Sequence, residues 1–216
     1  DSHQRLVAIS NVSSRTTEGQ EMIRAVRAIA TDAIVGGTAA DYTDSQEGIA
    51  RQLPWSLLWV AIATLIVLFL YTGSVLLPFK AILLNVLSLS AAMGVLTWLF
   101  QNGNLMWLTG EYTVTGTLDT SSLVIVAIVT FGLSMDYEVF LLSRIKEEHD
   151  AGSETTEAVA LGLQRSGRII TAAALLLAVV FAAFVTSSVT SIKMLGFGLA
   201  FAILLDATVV RGLLVP

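Results

Sequence analysis

The chain has 216 residues, of which 55% are hydrophobic and 13% are charged, and its formal net charge is −5 at pH 7. Ordinary soluble domains carry roughly 25% charged residues, so this composition indicates a membrane protein. The chain contains no cysteine, which excludes disulfide scaffolds, thiol catalysis and cysteine-based metal centres. The acidic balance argues against a nucleic-acid partner, which would need a basic patch.

The N-terminal segment, residues 1–52, is predicted to be part of a soluble α+β domain. Residues 5–10 (RLVAIS) and 33–36 have the composition of short strands. Between them, Thr17 and Gln20 have the spacing of a capping box and predict the start of a helix. The apolar face of this helix comprises Met22, Ile23, Val26 and Ile29. This β-α-β order is typical of half of a split βαβ sandwich, and an irregular linker is the alternative.

A helix over 45–52 is predicted to continue into the first of five membrane-spanning helices. Residues 53–79 and 81–110 contain no Asp, Glu, Lys, Arg or His, and about 20 apolar helical residues cross a hydrocarbon core roughly 30 Å thick. The predicted spans cover about 54–75, 80–101, 121–143, 168–188 and 193–214. Residues 53–216 are therefore predicted to form an all-α polytopic membrane bundle.

The positions of lysine and arginine indicate the orientation of the bundle. If the spans alternate in direction, one side holds Lys80, Arg144, Lys146, Arg165, Arg168 and Arg211. The other side has only Lys193 between spans, so the first side is predicted to be cytoplasmic. Residues 1–52 are then expected outside the cytoplasm. They show neither a signal peptide nor an initiating methionine, so we expect the chain to be a fragment of a longer polypeptide.

The connection between the third and fourth spans is predicted to contain a cytoplasmic amphipathic helix over about 153–165. Ser153 can cap this helix, and acidic residues follow in its first turn. Its apolar face, with Val159 and Leu163, is expected to lie on the membrane surface. The preceding charged run, residues 146–150, is interpreted as a solvated helix end.

The third span contains an acid, Asp136. A carboxylate well inside a membrane-spanning helix costs several kcal/mol to insert, so it normally faces the interior of a helix bundle and carries function. Gly132 lies one turn before it on the same face and would let another helix approach closely. Tyr137 supplies a phenolic donor, although consecutive helical residues point about 100° apart. The alternative for Asp136 is a structural role that only locks helix packing.

Two further acids are candidate auxiliary residues. Glu138 lies nearer the cytoplasm and could reach Lys146 or the water–lipid boundary. Asp206 lies in the fifth span, about one and a half turns before Arg211. A structural role in pairing or helix packing is the expectation for Asp206.

Three segments resemble one known family. They are GLSMDYEVFLLSRIKEE (132–148), SGRIITAAALLL (166–177) and GFGLAFAILLDATVVRGLLVP (196–216). They closely resemble the C-terminal half of the MmpL transporters, the mycobacterial membrane protein large family of the resistance-nodulation-division (RND) superfamily. The resemblance covers nearly the whole chain. It implies that residues 1–52 end the second periplasmic porter-like domain and that the five spans are transmembrane helices eight to twelve.

The resemblance also implies a function. It implies an exporter of lipids, glycolipids or siderophores across an actinobacterial inner membrane, driven by the proton motive force. The family's Asp-Tyr pair in helix ten maps onto Asp136 and Tyr137. Asp136 would take a proton from the periplasmic side and release it to the cytoplasm, while Tyr137 hydrogen-bonds across the relay.

The same resemblance implies the coupling ion and the partners. Protons are the coupling ion, and neither a cofactor nor a metal is expected. The implied partners are a lipid or glycolipid substrate, membrane lipids and the N-terminal half of the same transporter. A second copy of the protein and envelope-biogenesis proteins are further candidate partners.

Two other function classes stay open. An RND-type protein could use the same relay to assist protein translocation, and a non-transporting lipid-binding scaffold of an envelope-biogenesis complex is the second alternative. An enzyme is not expected, because the sequence has no nucleophile–base pair, metal-ligand cluster or phosphate loop. Asn85 and the Gly196-x-Gly198 pair are interpreted as packing features of membrane helices.

Overall fold

The computed structural model describes residues 5–104, 106, 110, 112, 114 and 118–214. Its contacts divide the chain into two compact units, residues 1–59 and 60–216. No β-strand occurs in the part of the chain that the structure describes, so the two strands predicted at 5–10 and 33–36 are not formed. A strand needs a paired neighbour to cover its side chains. Leu6 and Ile9 are instead more than 90% exposed.

The first unit contains helix α1, Thr17–Ile29. The side chain of Thr16 caps this helix, because its Oγ1 accepts a hydrogen bond from the Gly19 backbone N–H at 3.3 Å. The capping box predicted at Thr17 was therefore one residue too late. Of the predicted apolar face only Ile23 is fully buried.

Helix α2, Thr38–Thr72, begins in the same unit. Two ion pairs join its first turns to α1: Arg24 Nε lies 2.8 Å from Glu47 Oε1, and the Arg27 guanidinium binds the Asp44 carboxylate in bidentate fashion. Because α2 is continuous, the prediction that a helix over 45–52 runs into the first span is confirmed.

The second unit contains the end of α2 and four further helices. These are α3 (Leu76–Leu96), α4 (Thr120–Asp150), α5 (Thr155–Ala183) and α6 (Thr190–Leu205). Short helical extensions follow three of them: a π-helical turn at Thr97–Gln101, a 3₁₀ turn at Phe184–Thr186 and a π-helical segment at Asp206–Leu214.

Five helical segments among the described residues are long and apolar enough to cross a membrane. They are Thr38–Thr72, Leu76–Gln101, Thr120–Asp150, Thr155–Thr186 and Thr190–Val210. Each contains most of one predicted span, so the prediction of five helices able to cross a membrane is confirmed.

Helix α6 is the centre of this bundle and contacts α3, α4 and α5. A Cβ atom at Gly196 would lie 2.5 Å from Phe184 Cβ, and one at Gly198 would lie 2.8 Å from Leu96 Cδ1. Both glycines therefore permit close helix approach, which confirms the packing interpretation of this pair. Around them lies a core of buried side chains: Leu96, Leu99, Phe100, Val126, Met194 and Leu199.

Helices α4 and α5 form an antiparallel hairpin. Helix α5 runs without a break from Thr155, so the segment predicted as a separate surface helix forms its first turns. Small buried residues four positions apart, Ala158, Gly162 and Ser166, create a seam on α5. At this seam a Cβ at Gly162 would lie 3.1 Å from Ile145 Cα. Close packing of these turns against α4 thus explains why they continue α5 and do not form a separate helix.

Candidate functional site

The buried face of α4 is partly polar. Asp119 caps the helix, since its Oδ2 accepts hydrogen bonds from the Ser122 backbone N–H at 2.9 Å and from Ser122 Oγ at 2.6 Å. Further along the helix Thr130 and Ser134 are buried, four residues apart on the side that packs into the bundle. Polar residues in the interior of a membrane-spanning bundle mark candidate functional positions.

Asp206 lies opposite this face and is 5% exposed. Ser134 Oγ donates a hydrogen bond to Asp206 Oδ1 at 2.9 Å, so the buried carboxylate binds α4 directly. Asp206 is also the first residue of the π-helical segment that follows α6. π-Helical segments are rare in proteins, and those that occur are often found at functional sites.

Two small cavities adjoin the Ser134–Asp206 pair. One is lined by these two residues together with Asn85 and Glu138, and the other by these two together with Thr130 and Tyr137. Glu138 follows Ser134 by one helical turn, and Thr130 precedes it by one turn. Along α4, the donor Ser134 is therefore flanked by a polar residue one turn away on each side.

Asp136 lies on another face of α4. It is exposed, as is Gly132 one turn earlier, and no described atom lies within 4 Å of a Cβ built at Gly132. Both residues share a face, as the helical period predicts. Tyr137 points toward the cavity at Asp206 instead, so the structure places the two members of the predicted Asp-Tyr relay on different sides of the helix.

The C-terminal end of α4 makes more contacts with other helices than the sequence indicates. Glu148 is buried and forms an ion pair with Arg165 of α5, so the interpretation of 146–150 as a solvated end was wrong for this residue. Lys146 Nζ donates a hydrogen bond to the Tyr71 carbonyl at 2.8 Å and lies 5.4 Å from the centre of the Tyr71 ring. These contacts tie α4 to α5 and to the end of α2.

Sequence reasoning missed Ser134 as a site residue and treated Asn85 only as a packing feature. A signal for Ser134 was present, because Thr130, Ser134 and Glu138 recur every four residues and form a polar stripe on a helix. No comparable signal marks Asn85, whose place beside Asp206 depends on how α3 packs against the other helices.

Known proteins share extensive sequence similarity with this chain. The family model described as the MMPL family matches residues 1–216. A putative membrane protein of Streptomyces coelicolor is 44% identical over 198 residues, which cover 91% of this chain and 28% of that protein. The trehalose monomycolate exporter MmpL3 of Mycobacterium tuberculosis is 47% identical over 184 residues, or 85% of this chain and 19% of the relative.

The heme uptake protein MmpL11 of Mycobacterium tuberculosis is 39% identical over 183 residues, which cover 84% of this chain and 19% of that protein. The chain thus spans between 19% and 28% of the length of these relatives. The family match extends over every residue of the chain. The chain therefore belongs to the MMPL family of the RND transporters, as its resemblance to the MmpL proteins predicted.

Proposed function

We propose that the chain is part of a proton-motive-force-driven transporter that exports lipids or glycolipids, or siderophores, to the cell envelope. The observation that carries this proposal is the buried Asp206 carboxylate, held by Ser134 between helices long enough to span a membrane. The 47% identity to a protein named as a trehalose monomycolate exporter supports a lipid as the substrate. In this proposal residues 1–52 lie on the periplasmic side of the inner membrane.

The proposed relay has Asp136 and Tyr137 as its principal residues and Glu138 and Asp206 as auxiliary ones. An ionised carboxylate is unfavourable in an apolar bundle, so binding and release of a proton change which helix packing is preferred. At Asp206 the change acts directly on the Ser134 hydrogen bond, which connects α4 to the end of α6. Moving one charge across the membrane supplies about 2.3 kcal/mol per 100 mV.

Asp136 requires a second surface in this proposal. Its exposed position in the described part of the chain suits a contact with the N-terminal half of the same transporter. That contact would shield the carboxylate from lipid while leaving it able to exchange protons. The coupling ion is then the proton, and no cofactor takes part.

The experiment uses the full-length protein in proteoliposomes with an imposed pH gradient. Asp136→Asn keeps the shape of the side chain but removes the titrating group, so we expect lipid export and proton uptake to fall by at least about tenfold. Glu147→Gln, at an exposed residue of the same helix, is the matched control and should transport like the wild type. Unimpaired proton-driven export by Asp136→Asn overturns the assignment of the relay to Asp136. Failure of the wild-type protein to export lipid under the gradient favours the non-transporting scaffold alternative.

Heme uptake is a second candidate function, because one relative is named as a heme uptake protein. The same proteoliposomes distinguish the two substrates when loaded with hemin in place of lipid. Gradient-dependent movement of hemin without movement of lipid would replace the lipid proposal by this one.

A further inference from the structure

Asn85 of α3 is a buried amide with unsatisfied hydrogen-bonding groups. It is 2% exposed, and neither its Oδ1 nor its Nδ2 has a hydrogen-bond partner among the described residues. The large majority of buried polar side-chain atoms in folded proteins are paired, because an unpaired one loses its hydration without compensation. A ligand that forms hydrogen bonds with the Asn85 amide would offset this loss.

The location of Asn85 indicates where that ligand binds. Asn85 lines the same cavity as Ser134, Glu138 and Asp206. Ser88, three residues further along α3, is equally buried and its hydroxyl also lacks a partner, but it lines neither of the two cavities. Asn85 thus combines unsatisfied polar atoms with space and a facing carboxylate, whereas Ser88 has only the unsatisfied hydroxyl.

The chemistry of the cavity selects the ligand. Asn85 presents an unsatisfied donor group, Nδ2, and an unsatisfied acceptor, Oδ1, whereas a carboxylate such as that of Asp206 or Glu138 offers acceptors alone. A metal cation would satisfy Oδ1 but would be repelled by the N–H groups of Nδ2, while water both donates and accepts. The space open to the centre of a water molecule is about 10 Å³, close to the lower limit for a single water.

We propose that this cavity binds one ordered water molecule, which bridges the Asn85 amide of α3 and the Asp206 carboxylate. The water accepts a hydrogen bond from Asn85 Nδ2 and donates its two hydrogens, one to Asn85 Oδ1 and one to the carboxylate. Together with Ser134 it fixes the carboxylate from two sides, from α3 and from α4. Occupancy of the site does not depend on the proposed transport function, so the two can fail separately.

The direct test is a cryo-electron-microscopy map of the full-length protein in nanodiscs, at a resolution that shows other waters in the bundle. We expect density within about 3.2 Å of both Asn85 Nδ2 and an Asp206 oxygen. A dry cavity in such a map overturns the proposal, and so does an Asn85 amide bonded directly to another side chain. This result is read without any transport assay.

The second test compares melting temperatures of Asn85→Leu and Ser88→Ala in the same full-length protein. Loss of a bridging water leaves the carboxylate with one partner fewer, so Asn85→Leu should lower the melting temperature by a few degrees. Ser88→Ala only removes an unpaired hydroxyl and should cause no fall. A rise for Asn85→Leu overturns the proposal, because it means that the amide was buried without a ligand.

Replacing sodium chloride by choline chloride tests for a cation in the same cavity. We expect an unchanged melting temperature for the wild type. Stabilisation by sodium that disappears in Asn85→Leu would assign the site to a cation and overturn the assignment to water.

Discussion

Ser134 donates a hydrogen bond of 2.9 Å to Asp206, and this single contact joins residues 72 positions apart in the sequence. Both residues are buried, and they belong to helices that are each apolar enough to cross a membrane. The contact lies where α6 passes into a π-helical segment, so it fixes the position of that transition against α4. A substitution at either residue should therefore act on the packing of two helices at once.

Ser134→Ala tests the strength of this contact. The substitution removes the Ser134 hydroxyl from the buried Asp206 carboxyl group, and leaving a buried polar group short of a partner costs about 1–3 kcal/mol. We expect this decrease in the free energy of unfolding of the full-length protein in denaturant titrations. Ser121→Ala, at an exposed position near the start of the same helix, should change it by less than about 0.5 kcal/mol. Equal effects of the two substitutions would contradict the role given to Ser134.

Gly196→Ala tests the close packing of α6. The new Cβ would lie 2.5 Å from Phe184 Cβ and 2.6 Å from the Phe181 carbonyl oxygen, and the backbone atom cannot move without shifting its helix. Overpacking of this kind costs about 1–3 kcal/mol, which should appear as a lower melting temperature. Gly94→Ala is the matched control, because it lies inside α3 with no described atom within 4 Å of its Cβ. It should leave stability unchanged or raise it by up to about 1 kcal/mol.

The part of the fold that the sequence predicts well is the part set by local composition. The uncharged stretches 53–79 and 81–110 are long enough to fix two spans whatever else surrounds them. The strands expected at 5–10 and 33–36 depend on partners from elsewhere in a domain, and pattern alone does not supply those partners. The same holds for the buried Glu148, which looks like any other member of a charged helix end until α5 packs beside it.

The candidate site likewise combines features that local sequence predicts with features that only helix packing decides. Asp136 and Asp206 are both acids within apolar stretches of helix, and the sequence contains nothing that decides which one this part of the chain buries. The structure buries Asp206 and leaves Asp136 exposed. Burial of a residue depends on which helix covers its face, and that is a property of the assembled bundle. The polar stripe of Thr130, Ser134 and Glu138 was readable by its spacing alone.

Arg165→Gln tests the ion pair between α4 and α5. The Glu148 side chain is 10% exposed, so removal of its partner leaves a nearly buried carboxylate without its cation. We expect a destabilisation of about 1–3 kcal/mol by thermal or denaturant unfolding. Arg144→Gln breaks the pair with Glu147, in which both side chains are well exposed, and should cost less than about 1 kcal/mol. If the exposed pair proves the more costly to break, the burial argument is wrong.

The Arg27–Asp44 ion pair predicts how the first unit responds to acid. The hydrogen bonds from Arg27 lower the pKa of Asp44 below its ordinary value, against a weaker opposing effect of desolvation. The folded unit thus favours the carboxylate. The stabilisation is fully present above the ordinary aspartate pKa of about 3.9 and is lost as the pH falls through the lowered pKa.

Hydrogen exchange of the α1 amides in the full-length protein, corrected for intrinsic exchange rates, measures this loss. Protection in the wild type should fall as the pH is lowered below about 4. Asp44→Asn should show weaker protection at neutral pH and a flatter dependence on acid, because the amide can neither titrate nor bind Arg27 as an anion. Asp32→Asn, at an exposed residue outside the helices, is the control and should follow the wild-type profile. A wild-type profile in Asp44→Asn would show that this pair does not stabilise α1.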